Sequence, residues 1–165
     1  ANRLFYLPYL MGERTPHLDP DCRGVFFGLS AMHQKRDLIR AVMEGVSYSL
    51  NDCLNVLGEM GVKPAQMLAT GGGGRSELWR QMLADVFGCK VCTTQSKEGP
   101  ALGVAILAGV GAGLYPSVRE ACDSMIHTGI TQEPNAEDGK KYAACYAQYT
   151  QLYPALKDAY KRLAQ

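Results

Sequence analysis

The stretch MLATGGGGRSELWRQMLADVFG, residues 67–88, decides how the fold is read. Met67 to Thr70 is short, apolar and bounded by turn residues, which predicts a buried strand. It runs straight into Gly71, Gly72, Gly73 and Gly74. A helix is predicted from Ser76, with Glu77 in its first turn and Leu78, Trp79, Met82, Leu83, Val86 and Phe87 on its apolar side; Gly88 stops it. A helix start carries unpaired N–H groups and a partial positive charge. Residues without a Cβ let a phosphate or a flat ring approach the backbone there. The C-terminal end of a strand in an α/β sheet is also where ligands usually sit. The same glycines read equally as a tight strand-to-helix turn and nothing more. No Lys-Ser/Thr follows at P-loop spacing, and the pattern is not G-x-G-x-x-G with an acid about 20 residues on.

Further along the chain, Lys90 to Thr94 predicts another strand, and Pro100 opens a third helix, since proline is tolerated in a first turn. Its small residues Ala101, Gly103, Ala105 and Ala108 predict close backbone packing. A short helix is expected over 117–126, and one long helix over 135–165, bent at Pro154. On the N-terminal side, Leu38, Ile39, Val42, Met43, Val46, Leu50, Leu54 and Leu57 recur at helical spacing. That helix starts near Asp37 and ends at Gly58 or Gly61. Gly45 interrupts it at a cost of about 1 kcal/mol, which implies that something packs closely there. Residues 1–24, punctuated by Pro8, Gly12, Pro16, Pro20 and Gly24, read as loop, and Val25 to Leu29 as a strand or a loop wall. Helices following strands indicate an α/β fold with crossover connections. No internal boundary is evident.

The 165 residues carry 17 Lys+Arg against 16 Asp+Glu, a net charge of +1. That balance lacks the clustered cations of a nucleic-acid or membrane-surface binder. With 47% hydrophobic and 20% charged residues, a packed core is possible. The most apolar run, Ala101 to Tyr115, falls short of the roughly 20 residues that a spanning helix needs. The six cysteines need no disulfide framework and read as reduced, cytoplasmic thiols. The chain opens on Ala1 rather than Met, so it is read as a piece of something longer.

The remaining chemical candidates are thin. Cys89 and Cys92 form a C-x-x-C on a predicted strand, where they point to opposite faces and serve as structural cysteines rather than metal ligands. His17, with Glu13, Asp19 and Asp21, invites a metal, but the spacing fits no ordered loop motif. His33 and His127 stand alone. Ser47 and Ser49 lack a base nearby, and Glu44 is a mid-helix acid. Tyr142, Tyr146, Tyr149 and Tyr153 repeat at helical spacing, which is a packing seam before it is a stacking platform. The residues alone therefore give a nucleotide- or phosphate-binding α/β module, with no general base, nucleophile or metal site.

Three stretches, in order, resemble the C-terminal part of the FGGY carbohydrate kinases. GVFFGLSAMHQKRDLIRAVME, residues 24–44, is similar to the family signature through Gly24, Phe26, Gly28, Leu29, Asp37, Leu38 and Ala41 to Glu44. TGGGGRSELWRQMLADVFG, residues 70–88, resembles the family's adenine-nucleotide loop and helix, and EGPALGVAILAGVGAG, residues 98–113, the block that follows. Residues 9–29, 98–103 and 153–157 are most similar to the xylulose-phosphorylating members. The resemblance implies part of an actin-like, ribonuclease-H-like ATPase domain, with helices packed on a mixed sheet. Residues 1–165 would form part of the C-terminal nucleotide-binding domain, the N-terminal sugar-binding and catalytic domain being absent.

The implied reaction moves the γ-phosphate of ATP, with Mg²⁺, to D-xylulose, giving xylulose 5-phosphate. By position the resemblance assigns nucleotide contacts to Gly71, Gly72 and Ser76, and a further one to Gly73; related members carry Asn where Ser76 stands. It assigns no catalytic, sugar-binding or metal residue here. The chain alone is expected to be inactive, because phosphoryl transfer needs a positioned hydroxyl, a base and metal-supported phosphates. An exposed sheet edge is expected to drive self-association, as a homodimer. The alternatives are a non-catalytic actin-like module that binds a nucleotide or a protein, and a family member acting on glycerol or ribulose.

Overall fold

The computed structural model describes residues 3–95 and 99–164. Glu98, the first residue of the third resembling stretch, lies outside the described residues. In chain order the elements are β1 (Phe5–Leu7), β2 (Val25–Phe27), α1 (Lys35–Glu59), β3 (Gln66–Ala69), a 3-10 turn (Gly73–Arg75), α2 (Glu77–Phe87), β4 (Lys90–Thr94), α3 (Gly99–Gly111), α4 (Val118–Met125), β5 (Thr128–Gln132), α5 (Ala136–Tyr149) and α6 (Leu152–Leu163). They form two compact units: Ala1–Lys63 with Asp85–Gly88 and Asn135–Gln165, and Pro64–Ala84 with Cys89–Pro134. The sequence shows no boundary because the chain passes between the units several times, so no single linker separates them.

In the first unit, β1 and β2 pair antiparallel, with Tyr6 opposite Phe26. The expected loop over 1–24 thus contains a strand, too short to show a periodicity. α1 starts at Lys35, and Asp37 is its first-turn acid: the carboxylate accepts from the Gln34 N–H at 2.8 Å. Gly45 has the close neighbour its position implies, since a Cβ there would stand 2.1 Å from the Tyr6 carbonyl oxygen. Leu7, Tyr9, Cys22, Tyr48, Tyr149, Leu152, Tyr153 and Tyr160 form the buried cluster. The tyrosine repeat is a packing seam anchored by hydroxyls. Tyr149 and Tyr9 share a hydrogen bond at 3.1 Å, Tyr153 donates to Asp19 at 2.8 Å, and Tyr146 donates to Asp52.

The long C-terminal helix is two helices, separated by Thr150 and Gln151. Pro154 cannot donate to the Thr150 carbonyl and its ring would strike that group, so the helix ladder breaks a full turn before the proline. Pro154 then sits in the first turn of α6, where its missing N–H is no loss. Asn135 starts α5, its side-chain oxygen accepting from the N–H groups of Glu137 at 2.9 Å and Asp138 at 3.2 Å.

Burial pushes the Asp52 carboxyl up from its ordinary range, and the Tyr146 hydroxyl only partly offsets this. With a folded-state pKa above the unfolded one, the stabilising contribution is full below the unfolded value of about 4 and is lost as pH rises through the folded value. Asp52→Asn keeps an acceptor for Tyr146 and removes the charge. We expect it to gain up to about 1 kcal/mol at pH 7.5, after screening, and nothing at pH 3.5. Paired thermal melts read this; an Asn variant weaker at both pH values contradicts it.

In the second unit, β3 and β4 run parallel, Gln66 to Ala69 facing Lys90 to Thr93, and β5 adds antiparallel to β4. The sheet is therefore mixed, and β5 departs from the strict alternation of strand and helix. Its sequence, TGITQ, is exposed at four of five positions and has no apolar alternation to announce it. What holds it is backbone pairing, helped at the irregular point by the Thr93 hydroxyl, which accepts from the Ile130 N–H at 3.0 Å. Met82, Leu83 and Ala84 of α2 and Val91 and Cys92 of β4 are buried. Leu78 is exposed instead of lying on the apolar side of α2. Ala101, Gly103, Ala105 and Ala108, expected to mark close packing, are exposed; the close approach in α3 is at the buried Gly109, where a Cβ would stand 3.3 Å from the Tyr115 ring. α4 starts where expected, with the Ser117 hydroxyl accepting from the Glu120 N–H at 3.2 Å. Among the described residues no helix is long and apolar enough to cross a membrane.

Candidate functional site

The parallel pair β3 and β4 sets the site. Both strands point their C-terminal ends the same way, and β3 passes from Ala69 through Thr70 into the glycines. Gly71 turns the chain with φ +75°, a left-handed conformation that other residues adopt only with strain. Gly72 is already helical, at φ −63° and ψ −42°. The turn over Gly73–Arg75 closes with Arg75 N–H to the Gly72 carbonyl and Ser76 N–H to the Gly73 carbonyl, both 3.2 Å. Ser76 is extended, at ψ 116°, and its hydroxyl accepts from the Trp79 N–H at 3.3 Å, capping α2.

The glycines are there for different reasons. A Cβ on Gly74 would stand 2.7 Å from the Ala69 carbonyl oxygen, so the turn folds back tightly on the strand that feeds it. A Cβ on Gly73 would meet the Trp79 ring at 3.0 Å. At Gly71 and Gly72 a Cβ would meet no atom of the described residues within 4 Å. The packing of the described residues therefore does not require glycine at Gly72, and its helical backbone conformation is open to residues with a side chain.

Beside the turn is an open cavity of about 300 Å³, bounded by Thr70, Gly71 and Gly74 on one strand end and by Thr93, Thr94 and Gln95 on the next. Of the four residues assigned from the sequence, Gly71 lines it; Gly72 faces open space on the same turn, Gly73 backs onto Trp79, and Ser76 is occupied as a cap. Sequence reasoning missed Gly74, Arg75 and Arg80, which also line the cavity. Arg80 is only 4% exposed. Its Nη1 donates to the Gly74 carbonyl at 2.8 Å and its Nε to the Gln132 side-chain oxygen at 3.2 Å. A signal for it existed. Arg80 lies four residues beyond the capping Ser76 and four before the buried Ala84, on one helical stripe.

The other candidates are committed elsewhere. His17 stacks on Tyr153, ring centroids 3.6 Å apart, and its Nε2 meets the Tyr9 hydroxyl at 3.2 Å. Burial lowers its pKa, against the pull of Glu13 and Asp19. Asp19 accepts from Tyr153 and from the Asp21 N–H, which hold its carboxyl below the usual range. Among the described residues no group of three His, Cys, Asp or Glu side chains could hold a metal ion. Ser47 donates to the Met43 carbonyl at 2.8 Å, and Glu44 pairs with Arg40 at 2.7 Å. Cys89 and Cys92 are free thiols; Cys92 is buried, with its Sγ 3.3 Å from the Thr131 hydroxyl.

Among solved structures, a ligand-bound xylulose kinase from Lactobacillus acidophilus is similar over 98% of this chain and 33% of its own, with a TM-score of 0.89 and 32% identity. The mixed sheet with its helices is thus part of an actin-like, ribonuclease-H-like ATPase fold. The family model for the FGGY family of carbohydrate kinases, C-terminal domain, matches residues 1–112, and the chain belongs to that family. Among curated relatives, the xylulose kinase of Bacillus subtilis (strain 168) is 36% identical over 158 residues, 96% of this chain and 32% of that protein. A gluconokinase of Bacillus licheniformis is 39% identical over 165 residues, 99% of this chain and 32% of that protein. The chain spans about a third of the length of these relatives.

Proposed function

We propose that the turn Gly71–Gly73 with Ser76 takes the adenine nucleotide of an ATP-dependent sugar kinase, and that the whole protein passes the γ-phosphate of ATP to D-xylulose. The observation that carries the nucleotide assignment is Gly72. It sits at the end of a parallel strand, ahead of a helix N-terminus, and the described residues around it give no reason for the missing side chain. Family membership supplies the reaction class. The sugar rests on the relatives named as xylulose kinases, and Mg²⁺ on the general need to neutralise transferring phosphates. The equally similar gluconokinase supports gluconate as a second substrate reading. ADP release measured in parallel with the two sugars on the whole protein decides between them.

Trp79 is the only tryptophan of this chain, and its ring backs onto Gly73. Titration with MgADP is expected to change its fluorescence saturably. Gly72→Val, whose Cβ would meet no described atom within 4 Å, is expected to weaken binding about tenfold or more while leaving the melting temperature unchanged. Binding that Gly72→Val leaves intact would remove the assignment.

A further inference from the structure

A run of four glycines has little stiffness of its own, because a residue without a Cβ crosses between backbone regions at small cost. The turn is closed by two 3-10 hydrogen bonds of 3.2 Å. Two neighbouring side chains of α2 also reach back to it. Arg80 Nη1 donates to the Gly74 carbonyl at 2.8 Å. Trp79, half-buried, lays the benzo edge of its indole against Gly73. A Cβ on Gly73 would stand 3.0 Å from Cζ3, 3.2 Å from Cε3 and 3.6 Å from Cη2, so ring and glycine fit as a pair. Trp79 is tied to the turn through its backbone as well, its N–H donating to the Ser76 hydroxyl at 3.3 Å. It thus meets Gly73 and Ser76, two of the residues assigned to the nucleotide, from the helix side. Gly71 and Gly72, the other two, are exposed.

We infer that Trp79 is the positioning residue of the nucleotide turn: its ring braces Gly73 from behind, so that Gly71 and Gly72 present their backbone to the ligand already shaped. The inference rests on the nucleotide assignment of that turn and deepens it. A turn fixed before binding spares the complex the cost of ordering it, and affinity gains by that amount. The role of the ring is contact with Gly73, so its loss must show in the turn before any nucleotide is added.

The test uses the complete protein with Trp79→Leu, Trp79→Phe and Gly73→Ala, each checked by thermal melts. Amide hydrogen exchange without ligand reads the turn over 71–76, and calorimetric titration with MgADP reads affinity. Trp79→Leu is expected to speed exchange in the turn and to weaken MgADP about tenfold. Trp79→Phe keeps a flat ring against Gly73 and is expected to stay within about threefold of wild type. Gly73→Ala crowds the same contact from the other side. It carries the same expectations as Trp79→Leu, and takes its place should that variant not fold. In steady-state assays, KM for ATP is expected to rise, while kcat and KM for the sugar stay within about twofold. General destabilisation would instead lower the active fraction, and with it the apparent kcat. A folded variant that binds MgADP within about twofold of wild type, or whose ligand-free turn exchanges no faster, overturns the inference alone. Wild type that binds no MgADP removes the nucleotide reading, and the inference with it.

Discussion

Gly45→Ala is expected to cost the first unit about 2 kcal/mol or more of stability, although alanine is the better helix former by about 1 kcal/mol. The new methyl would stand 2.1 Å from the Tyr6 carbonyl oxygen and 3.0 Å from its carbonyl carbon. Both are backbone atoms, so no flexible side chain can swing aside. β1 is held in its turn by pairing with β2 at Tyr6–Phe26, and Tyr6 packs with Leu4 and Ala41 against α1. Relief must therefore come from moving the strand off the helix, which opens that small core. Gly58 in the same helix is the control, because a Cβ there meets nothing within 4 Å. Gly58→Ala is expected to stabilise by about 0.5–1 kcal/mol. Urea denaturation of the three proteins gives both signs at once. A Gly45→Ala variant as stable as wild type would mean that β1 does not rest on α1 in solution.

What the sequence showed and what it hid divide along physical lines. The positions of α1, α2 and the strands near Met67 and Lys90 were readable from their patterning, but not always what they bury. α1 buries Ala41, Gly45, Ser47, Tyr48 and Asn51, while Ile39, Leu50 and Leu57 of the expected apolar stripe are exposed. β3, at Gln66–Ala69, is an only partly covered strand with Leu68 exposed, rather than the buried one expected. Gly45 even announced its neighbour, because a glycine in mid-helix is costly without one. Elements held by something other than an apolar stripe were not readable. β5 is a polar edge strand fixed by backbone pairing and one threonine hydroxyl. The break between α5 and α6 follows from proline chemistry one turn upstream of the residue that causes it. In the site, the glycines were visible as composition, but their separate tasks were not, since φ and the distance to Ala69 exist only in three dimensions. Arg80 was missed although it lies on the stripe of Ser76 and Ala84, because a charged residue on a helix reads as solvated until packing shows it buried under the turn.

That difference between glycines yields the second large effect. Gly74→Ala is expected to lose about 2–3 kcal/mol of stability in the second unit, and ligand binding with it. The methyl would lie 2.7 Å from the Ala69 carbonyl oxygen and 2.9 Å from its carbonyl carbon, again backbone against backbone. The turn would have to lift off β3. Because the Gly74 carbonyl anchors Arg80 Nη1, the buried guanidinium would lose one of its two internal partners in the same movement. Gly72→Ala, two residues earlier in the same turn, has open space and a helical backbone, and its stability should stay within about 0.5 kcal/mol of wild type. Thermal melts and nucleotide titration on the pair therefore separate two properties that a row of four glycines merges. If Gly74 fails in stability and Gly72 only in binding, the turn has a structural side and a ligand side. If Gly72→Ala also unfolds the unit, the turn is held by packing throughout, and its glycines no longer argue for a ligand.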